Sequence, residues 1–462
     1  MGKARLKKWM RTLSYTLALL GLVVIVLAAF NLLLQKGQGD ETIVDVTVQS
    51  QASTDLLVER FQRRLMNRPE DQKAYVQLGG AYLQKAREMG DLSYYLRAEE
   101  ALRKALELEP SSVSAMNLMG ALAMGGHQFQ EALEWAERSL KLDPRNANAY
   151  GILGDAQTEL GQYEAAFGNY QTMVDLKPDL SSYARVAYAR ERMGDVEGAI
   201  EAMQMAVAAG PAKGEATAWA LVQLGNLYFN IGRLDEAAEH YESALRAFDS
   251  HYLALAGLGK TRAAQTRYDE AIKLYEQAVA IIPQPVILAA LGDLYARTGN
   301  VDQAKLQYDT VEFIARLAAI NQVVYNRDLA LFYADHDLKL DEALDLARRE
   351  LAVRKDIYGY DALAWALYKN DRLEKAAESI TEALKLGTQD PNLYYHAGMI
   401  YYSLGQHQQA RDYLERALTL NPSFSILYSD DARRTLAELD REAALSGNQE
   451  GPALGLAKGV AR

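Results

Sequence analysis

Along most of this chain, apolar residues recur at intervals of three and four in stretches of about a dozen, separated by short polar breaks. That spacing lines one face of an amphipathic helix. Near the middle, a first stretch presents Tyr150, Leu153 and Gly154. Leu160-Gly161-Gln162 breaks it, and a second stretch presents Ala166, Tyr170 and Val174 before Pro178 stops it. The pattern predicts two helices joined by a tight turn, and the pair returns ten times over residues 72–422 with a period of about 34 residues.

One position in each first helix is small: Gly79, Gly120, Gly154, Ala187, Gly225, Gly259, Gly292, Ala330, Ala364 and Gly398. An alanine answers it in each second helix, from Ala98, Ala132 and Ala166 through to Ala376 and Ala410. Prolines close six of the units, at Pro110, Pro144, Pro178, Pro211, Pro283 and Pro422. A small residue where two antiparallel helices cross lets their backbones approach. Glycine in a helix costs about 1 kcal/mol against alanine, so its use implies a compensating gain in contact. One pair cannot bury its apolar stripe alone, and the units must stack as a solenoid.

Tyr75, Leu78, Gly79 and Tyr82 in the first unit, Leu224, Gly225, Tyr228, Ala237, Tyr241 and Ala244 in the fifth, and Tyr394, Gly398, Tyr401, Ala410, Ala417 and Pro422 in the tenth carry a recognisable signature. With it the chain resembles the tetratricopeptide-repeat family over about three quarters of its length. The resemblance implies an all-α fold, a right-handed superhelical solenoid of about ten tetratricopeptide-type helix pairs over residues 72–425. It also implies protein binding along the inner face, and says little about which protein. Departures occur around Asp91 to Leu96, where the first unit holds about seven extra residues, near Ala212 to Ala216, near Ala318 to Val323, and at His336-Asp337-Leu338. Insertions of this kind map to the rims of a solenoid, as tolerated loops or as contact points.

Outside the repeats, residues 1–11 carry Lys3, Arg5, Lys7, Lys8 and Arg11 and no acid, and residues 12–34 carry no charge. An uncharged apolar stretch of that length spans a bilayer core, and it exceeds the roughly 7 to 15 residues of a signal-peptide core. The expectation is one uncleaved transmembrane helix preceding the solenoid. Its basic end stays in the cytoplasm, which places the C-terminal domain on the extracytoplasmic, periplasmic side of a cytoplasmic membrane. Beyond the anchor, 45 basic residues face 61 acidic ones, a balance of −16 that argues against nucleic acid and anionic lipid as partners.

Residues 35–54 read as a tether, 55–71 as an N-terminal half-repeat helix with Leu57, Val58, Phe61 and Leu65 on one side, 426–445 as a capping helix, and 446–462 as a disordered tail. No catalytic constellation emerges. The six histidines show no ligand spacing and there is no cysteine, so neither a metal nor another cofactor is expected. His336-Asp337 beside Asp335 reads as a solvated turn. Gly259-Lys260-Thr261 lacks the upstream glycine of a phosphate loop, where this chain has Ala254.

Repeat register projects Trp219, Asn226, Phe229, Lys260, Arg327, Asp361, Trp365, Tyr368, Tyr395, Met399 and Tyr402 onto the concave face as candidate protein-binding residues. Aromatic residues and methionine are what binding surfaces enrich. The last five read either as a recognition face or as bulk packed beneath the C-terminal cap. Family members that clamp a terminal carboxylate use lysines and asparagines, of which only Asn226 and Lys260 hint here. The expected function is a membrane-anchored, non-catalytic scaffold or assembly factor. The alternatives are a permanent structural subunit of a larger complex, or an accessory factor for an enzyme system such as exported-cytochrome maturation or polysaccharide export.

Overall fold

The computed structural model describes residues 48–91, 93–321 and 326–449. The regular elements among them are α-helices. A solitary α1 (Val48–Asn67) comes first. Ten antiparallel pairs follow: α2 (Gln72–Met89) with α3 (Ser93–Leu108), α4 (Val113–Gly125) with α5 (Phe129–Leu142), α6 (Ala147–Glu159) with α7 (Tyr163–Leu176), α8 (Leu180–Arg192) with α9 (Val196–Ala209), α10 (Glu215–Asn230) with α11 (Leu234–Ala247), α12 (Tyr252–Ala264) with α13 (Tyr268–Ile281), α14 (Pro285–Arg297) with α15 (Val301–Asn321), α16 (Asn326–Asp335) with α17 (Leu340–Val353), α18 (Ile357–Lys369) with α19 (Leu373–Ala383), and α20 (Pro391–Ser403) with α21 (His407–Leu420). Helix α22 (Ser429–Gln449) closes the array.

The basic segment 1–11, the apolar stretch 12–34, the tether up to residue 47 and the tail from residue 450 lie outside the described residues. Among the described residues no helix is long and apolar enough to cross a membrane. Two boundaries differ from the sequence reading: α1 starts inside the segment read as tether, and α22 runs four residues into the segment read as tail. Helix α1 packs Val58, Phe61 and Leu65 against Leu78 and Tyr82 of the first pair.

The small residues sit where the helices cross. A β-carbon on Gly79 would lie 2.6 Å from Leu102 Cγ, and one on Gly225 would lie 2.7 Å from the Tyr241 ring. The answering alanines Ala98, Ala132, Ala166, Ala237 and Ala271 have no exposed surface. Because protein interiors are packed to crystal-like density, this close approach fixes the register of each pair. First helices start on side-chain caps: Asp71, Ser112, Asn146, Asp179, Asp356 and Asp390 each accept a backbone N–H of the first turn. Helix length varies with the insertions, reaching 18 residues in α2 and 21 in α15, whereas the extra residues near Ala212 and at His336-Asp337-Leu338 lie in the breaks between helices.

Successive units rotate enough for the solenoid to meet itself. The turn inside one unit touches the loop that follows the unit five places on. Gly161, Gly194 and Gly232 hold φ of 75°, 78° and 74° in the turns of units three, four and five. A β-carbon on Gly161 would lie 2.6 Å from the Lys355 carbonyl oxygen and one on Gly232 would lie 2.8 Å from that of Leu420, while one on Gly194 would run into the Gly387 carbonyl. Hydrogen bonds seal the same line: Lys355 N–H donates to the Glu159 carbonyl (2.8 Å), Ile357 N–H to the Tyr163 hydroxyl (2.8 Å), Thr388 Oγ1–H to the Arg192 carbonyl (2.5 Å) and the Asn421 amide to the Phe229 carbonyl (2.7 Å). Gly90 in the first unit faces Ile282, after the sixth, in the same way.

Candidate ligand chamber on the concave face

Closure along this seam turns the inner face of the last six units into a chamber of about 810 Å³. First helices supply its wall. Asn226 and Phe229 come from α10, Lys260 from α12, Asp293 from α14, Asp328 and Asp335 from α16, His336 from the turn just after it, Asp361 from α18, and His396 from α20. Residues 423–430 and Arg433 of the C-terminal segment complete it. The volume falls in the range of roughly 300 to 1,000 Å³ common to small-molecule pockets.

Its polar groups are organised in pairs that tie one first helix to the next. His336 Nε2 bonds Asp293 at 2.7 Å, and His396 Nδ1 bonds Asp361 at 2.8 Å. Asp335 accepts from the Trp365 indole N–H (2.8 Å) and from the Tyr428 hydroxyl. Burial disfavours a charged imidazole, but the aspartate hydrogen bond and charge outweigh it, so both His336 and His396 are held above the ordinary histidine range. Burial pushes the Asp335 carboxyl up. Burial also lowers the Lys260 ammonium, which lies 4.1 Å from the Phe229 ring centroid. His336 is therefore half-buried and bonded, where the sequence read as a solvated turn.

The eleven residues projected onto the inner face divide into four groups. Asn226, Phe229, Lys260 and Asp361 line the chamber. Arg327 joins the seam, bonded to Asp356 and 3.4 Å from Glu350. Trp219 is 37% exposed and lies apart from the chamber wall. Of the other five, Trp365, Tyr395, Met399 and Tyr402 meet the C-terminal segment, and Tyr368 packs on Trp365. Trp365 is only 2% exposed and stacks on His396 (centroids 4.2 Å apart) and Tyr368 (4.8 Å), and Tyr395 is 2% exposed and stacks on Tyr428 (4.5 Å). Helix α22 runs along this face: Tyr395 donates to Asp431 (2.8 Å), Thr435 donates to Met399 Sδ (3.8 Å), and Tyr402 donates to Glu438 (3.3 Å). The aromatic cluster is thus core beneath the C-terminal cap, not an open recognition face. The chain's own last helix supplies the apolar partner that these rings require.

Tetratricopeptide-repeat models match residues 83–144, 117–181 and 222–284, residues 179–250, and residues 391–424. Tetratricopeptide repeat protein 36 of Mus musculus is 33% identical over 124 residues, 26% of this chain and 67% of that protein. The chain belongs to the tetratricopeptide-repeat family. It is also 29% identical over 231 residues to the Homo sapiens protein O-mannosyl-transferase TMTC1, covering 48% of this chain and 25% of that protein. A TPR repeat-containing protein of Methanocaldococcus jannaschii is 20% identical over 334 residues, covering 71% and 47%. The chain thus spans under half the length of these two relatives. Among solved structures, yeast Tom70 is 13% identical with a TM-score of 0.38 over 87% of this chain and 100% of that one.

What the tetratricopeptide signature does not reveal is the seam. Glu159, Arg327, Glu350, Arg354 and Asp356 meet there: Arg354 lies 2.7 Å from Glu159 and 3.3 Å from Glu350. Burial raises both glutamates despite these cations. Apart from Arg327, sequence reasoning missed these residues. They lie at helix ends and in loops where charge reads as solvated, and they become neighbours only because distant units touch.

Proposed function

We propose that this protein is a membrane-anchored, non-catalytic scaffold or assembly factor that holds a protein partner on the extracytoplasmic side of a cytoplasmic membrane. A tetratricopeptide solenoid is suited to protein–protein interaction, and the observation that carries the reading is the convergence of six first helices on one chamber, apolar over most of its wall with polar side chains set into it. There a partner's chain segment meets preformed hydrogen-bonding groups. The uncharged residues 12–34 behind five basic residues support the anchor and its orientation. Tethering a rigid recognition surface raises the local concentration of a partner and fixes its orientation.

Two measurements test it. Protease added to spheroplasts is expected to digest the solenoid and leave a short anchored fragment, and protection until lysis would reverse the orientation. Crosslinking in membranes followed by capture of the full chain is expected to bring down a discrete partner, and capture of nothing above an anchor-only control would sink the scaffold reading.

A second reading, a permanent subunit of a larger complex, draws on the longest helix of a repeat pair. Leu306 and Phe313, two turns apart on α15, are 41% and 40% exposed and lie on one face. That reading requires co-purification of a partner at fixed stoichiometry through detergent extraction.

A further inference from the structure

Six aspartates line the chamber, and five are committed to neighbours. Asp293 is bonded to His336 and Asp361 to His396. Asp335 accepts from Trp365 and Tyr428. Asp390 accepts from the Tyr358 hydroxyl at 3.2 Å and from the Asn392 backbone at 2.8 Å. Asp430 is bonded to Arg297 and Arg433, each contact close to 2.7 Å. The sixth, Asp328 in the first turn of α16, has neither a hydrogen bond nor an ion pair among the described residues. A half-buried carboxylate on a chamber wall that has no donor among the described residues is open to a partner from outside.

The surrounding charge says what that partner is. The cations acting on Asp328 are Arg327 and Arg354, and both are already engaged, Arg327 with Asp356 and Glu350, Arg354 with Glu159 and Glu350. Four carboxyl groups (Glu159, Asp328, Glu350 and Asp356) share these two guanidinium groups, with Arg192 acting on Glu159 as well, so acids outnumber cations in a half-buried cluster. Burial accordingly raises the Asp328 carboxyl along with its neighbours. Lys260 does not relieve it, since the carboxylate acting on Lys260 is Asp390 and its ammonium rests against Phe229. A metal ion is not what the cluster calls for: among the described residues no group of three or more His, Cys, Asp or Glu side chains is arranged to hold one. An ammonium fits, because it brings one positive charge and three N–H donors on a slender stem. The same wall offers Leu331, Ala263, Ala264, Ala289 and Ala290 to cover such a stem.

We propose that the chamber binds a primary ammonium group on an aliphatic stem, with the Asp328 carboxylate as its acceptor. The ammonium belongs either to a lysine side chain of the partner segment or to a diffusible polyamine. The proposal rests on the concave side being the recognition surface, as in the function above, and it names the chemistry that surface selects.

Calorimetry on the purified full chain distinguishes the sources. The probes are spermidine, a blocked Ala-Lys-Ala peptide, and the same peptide with the lysine acetylated, each against sodium chloride at matched ionic strength. Saturable binding of spermidine or of the lysine peptide, with at least tenfold weaker binding of the acetylated peptide, is the expected result. Binding of spermidine alone assigns the site to a diffusible amine, and binding of the peptide assigns it to a partner's lysine. Asp328→Asn keeps the shape and removes the charge, and is expected to weaken binding tenfold or more with an unchanged circular dichroism spectrum. Equal affinity for lysine and acetyl-lysine peptides, which needs no variant, or no heat above the salt control, overturns the proposal. So does unchanged affinity in a folded Asp328→Asn. None of these outcomes alters partner capture in the crosslinking experiment, so the two readings fall separately.

Discussion

The backbone N–H of Lys355 donates to the carbonyl of Glu159 at 2.8 Å, joining the loop after the eighth unit to the end of the first helix of the third. Beside it, Gly161 leaves no room for a side chain against the Lys355 carbonyl. The contact repeats one unit later between Gly194 and Gly387 and again between Gly232 and Leu420, so the superhelix is zipped along a line of turn glycines. Its consequence for function is direct: the groove of an open solenoid becomes a partly enclosed chamber beside these three successive contacts.

Alanine at these glycines is expected to unzip the seam. Gly405 supplies the control, because its φ of 71° matches theirs while nothing lies within 4 Å of the β-carbon it would gain. Gly405→Ala therefore incurs only left-handed backbone strain, about 1 kcal/mol. Gly161→Ala and Gly194→Ala incur that strain plus the clash, with a further loss of about 1 kcal/mol or more and a larger radius of gyration in small-angle scattering. Equal melting temperatures and radii for the three variants would show that the seam does not exist in solution.

At the helix crossings the expected order is set by Gly154 and Ala166, against Gln157. A β-carbon on Gly154 would already meet the Tyr170 ring at 2.5 Å, and Ala166 has no exposed surface. Gly154→Leu and Ala166→Leu should each destabilise by about 1 to 3 kcal/mol or more. Gln157 is half-buried and accepts from Asn169, so Gln157→Leu should cost about 1 kcal/mol at most. Chemical denaturation measures all three.

Beneath the cap, Trp365 and Tyr402 are expected to separate sharply. Trp365→Ala empties a core position stacked between His396 and Tyr368 and orphans Asp335 from one donor, a loss of about 3 to 5 kcal/mol. Tyr402 is half-buried with one 3.3 Å bond to Glu438, and Tyr402→Ala should cost about 1 kcal/mol. Similar melting temperatures would return the aromatics to an open face.

Stability is expected to fall as pH rises above about 6.5, the ordinary histidine value. His336 and His396 have folded-state values raised above that of the unfolded chain, so their paired, charged forms contribute fully below 6.5 and are lost as pH climbs through the folded values. The buried acids Glu159, Glu191, Asp328, Asp335 and Glu350 are also raised and act in the same direction, beginning at the ordinary carboxylate range. His240, His251 and His127, the last lowered to about 4, act oppositely as pH falls below 6.5. His396→Gln should flatten the decline above 6.5. A decline as steep as in the parent chain would mean that the Asp361 pair does not drive it.

The helix pairs, the turn at Gly161 and the crossing residues were legible because each depends on residues close in sequence. Gly154 and Ala166 announce their contact through spacing alone, whereas the caps at Asp179 and Asp356 emerged only with the structure. The inner-face register was legible too, which is why Asn226, Phe229, Lys260 and Asp361 fall on the chamber wall. Their burial was not. Trp365 reads identically whether it faces solvent or a cap, and the helix that covers it lies two units further along the chain.

Gly161, Gly194, Gly299 and Gly405 show the same division at single residues. The sequence by itself determined that Gly161 sits in a turn between two helices, and all four glycines hold the positive φ that such a tight turn favours. Only the tertiary structure decided that Gly161 and Gly194 are zipper teeth while Gly299 and Gly405 face open space. The reason is geometric: a seam between units five apart depends on small rotations summed over every intervening unit, including the lengthened α15. No local pattern of apolar and polar residues encodes that sum, so the chamber, the charged cluster at its edge and the place of Asp328 on the chamber wall exist only in the assembled coil.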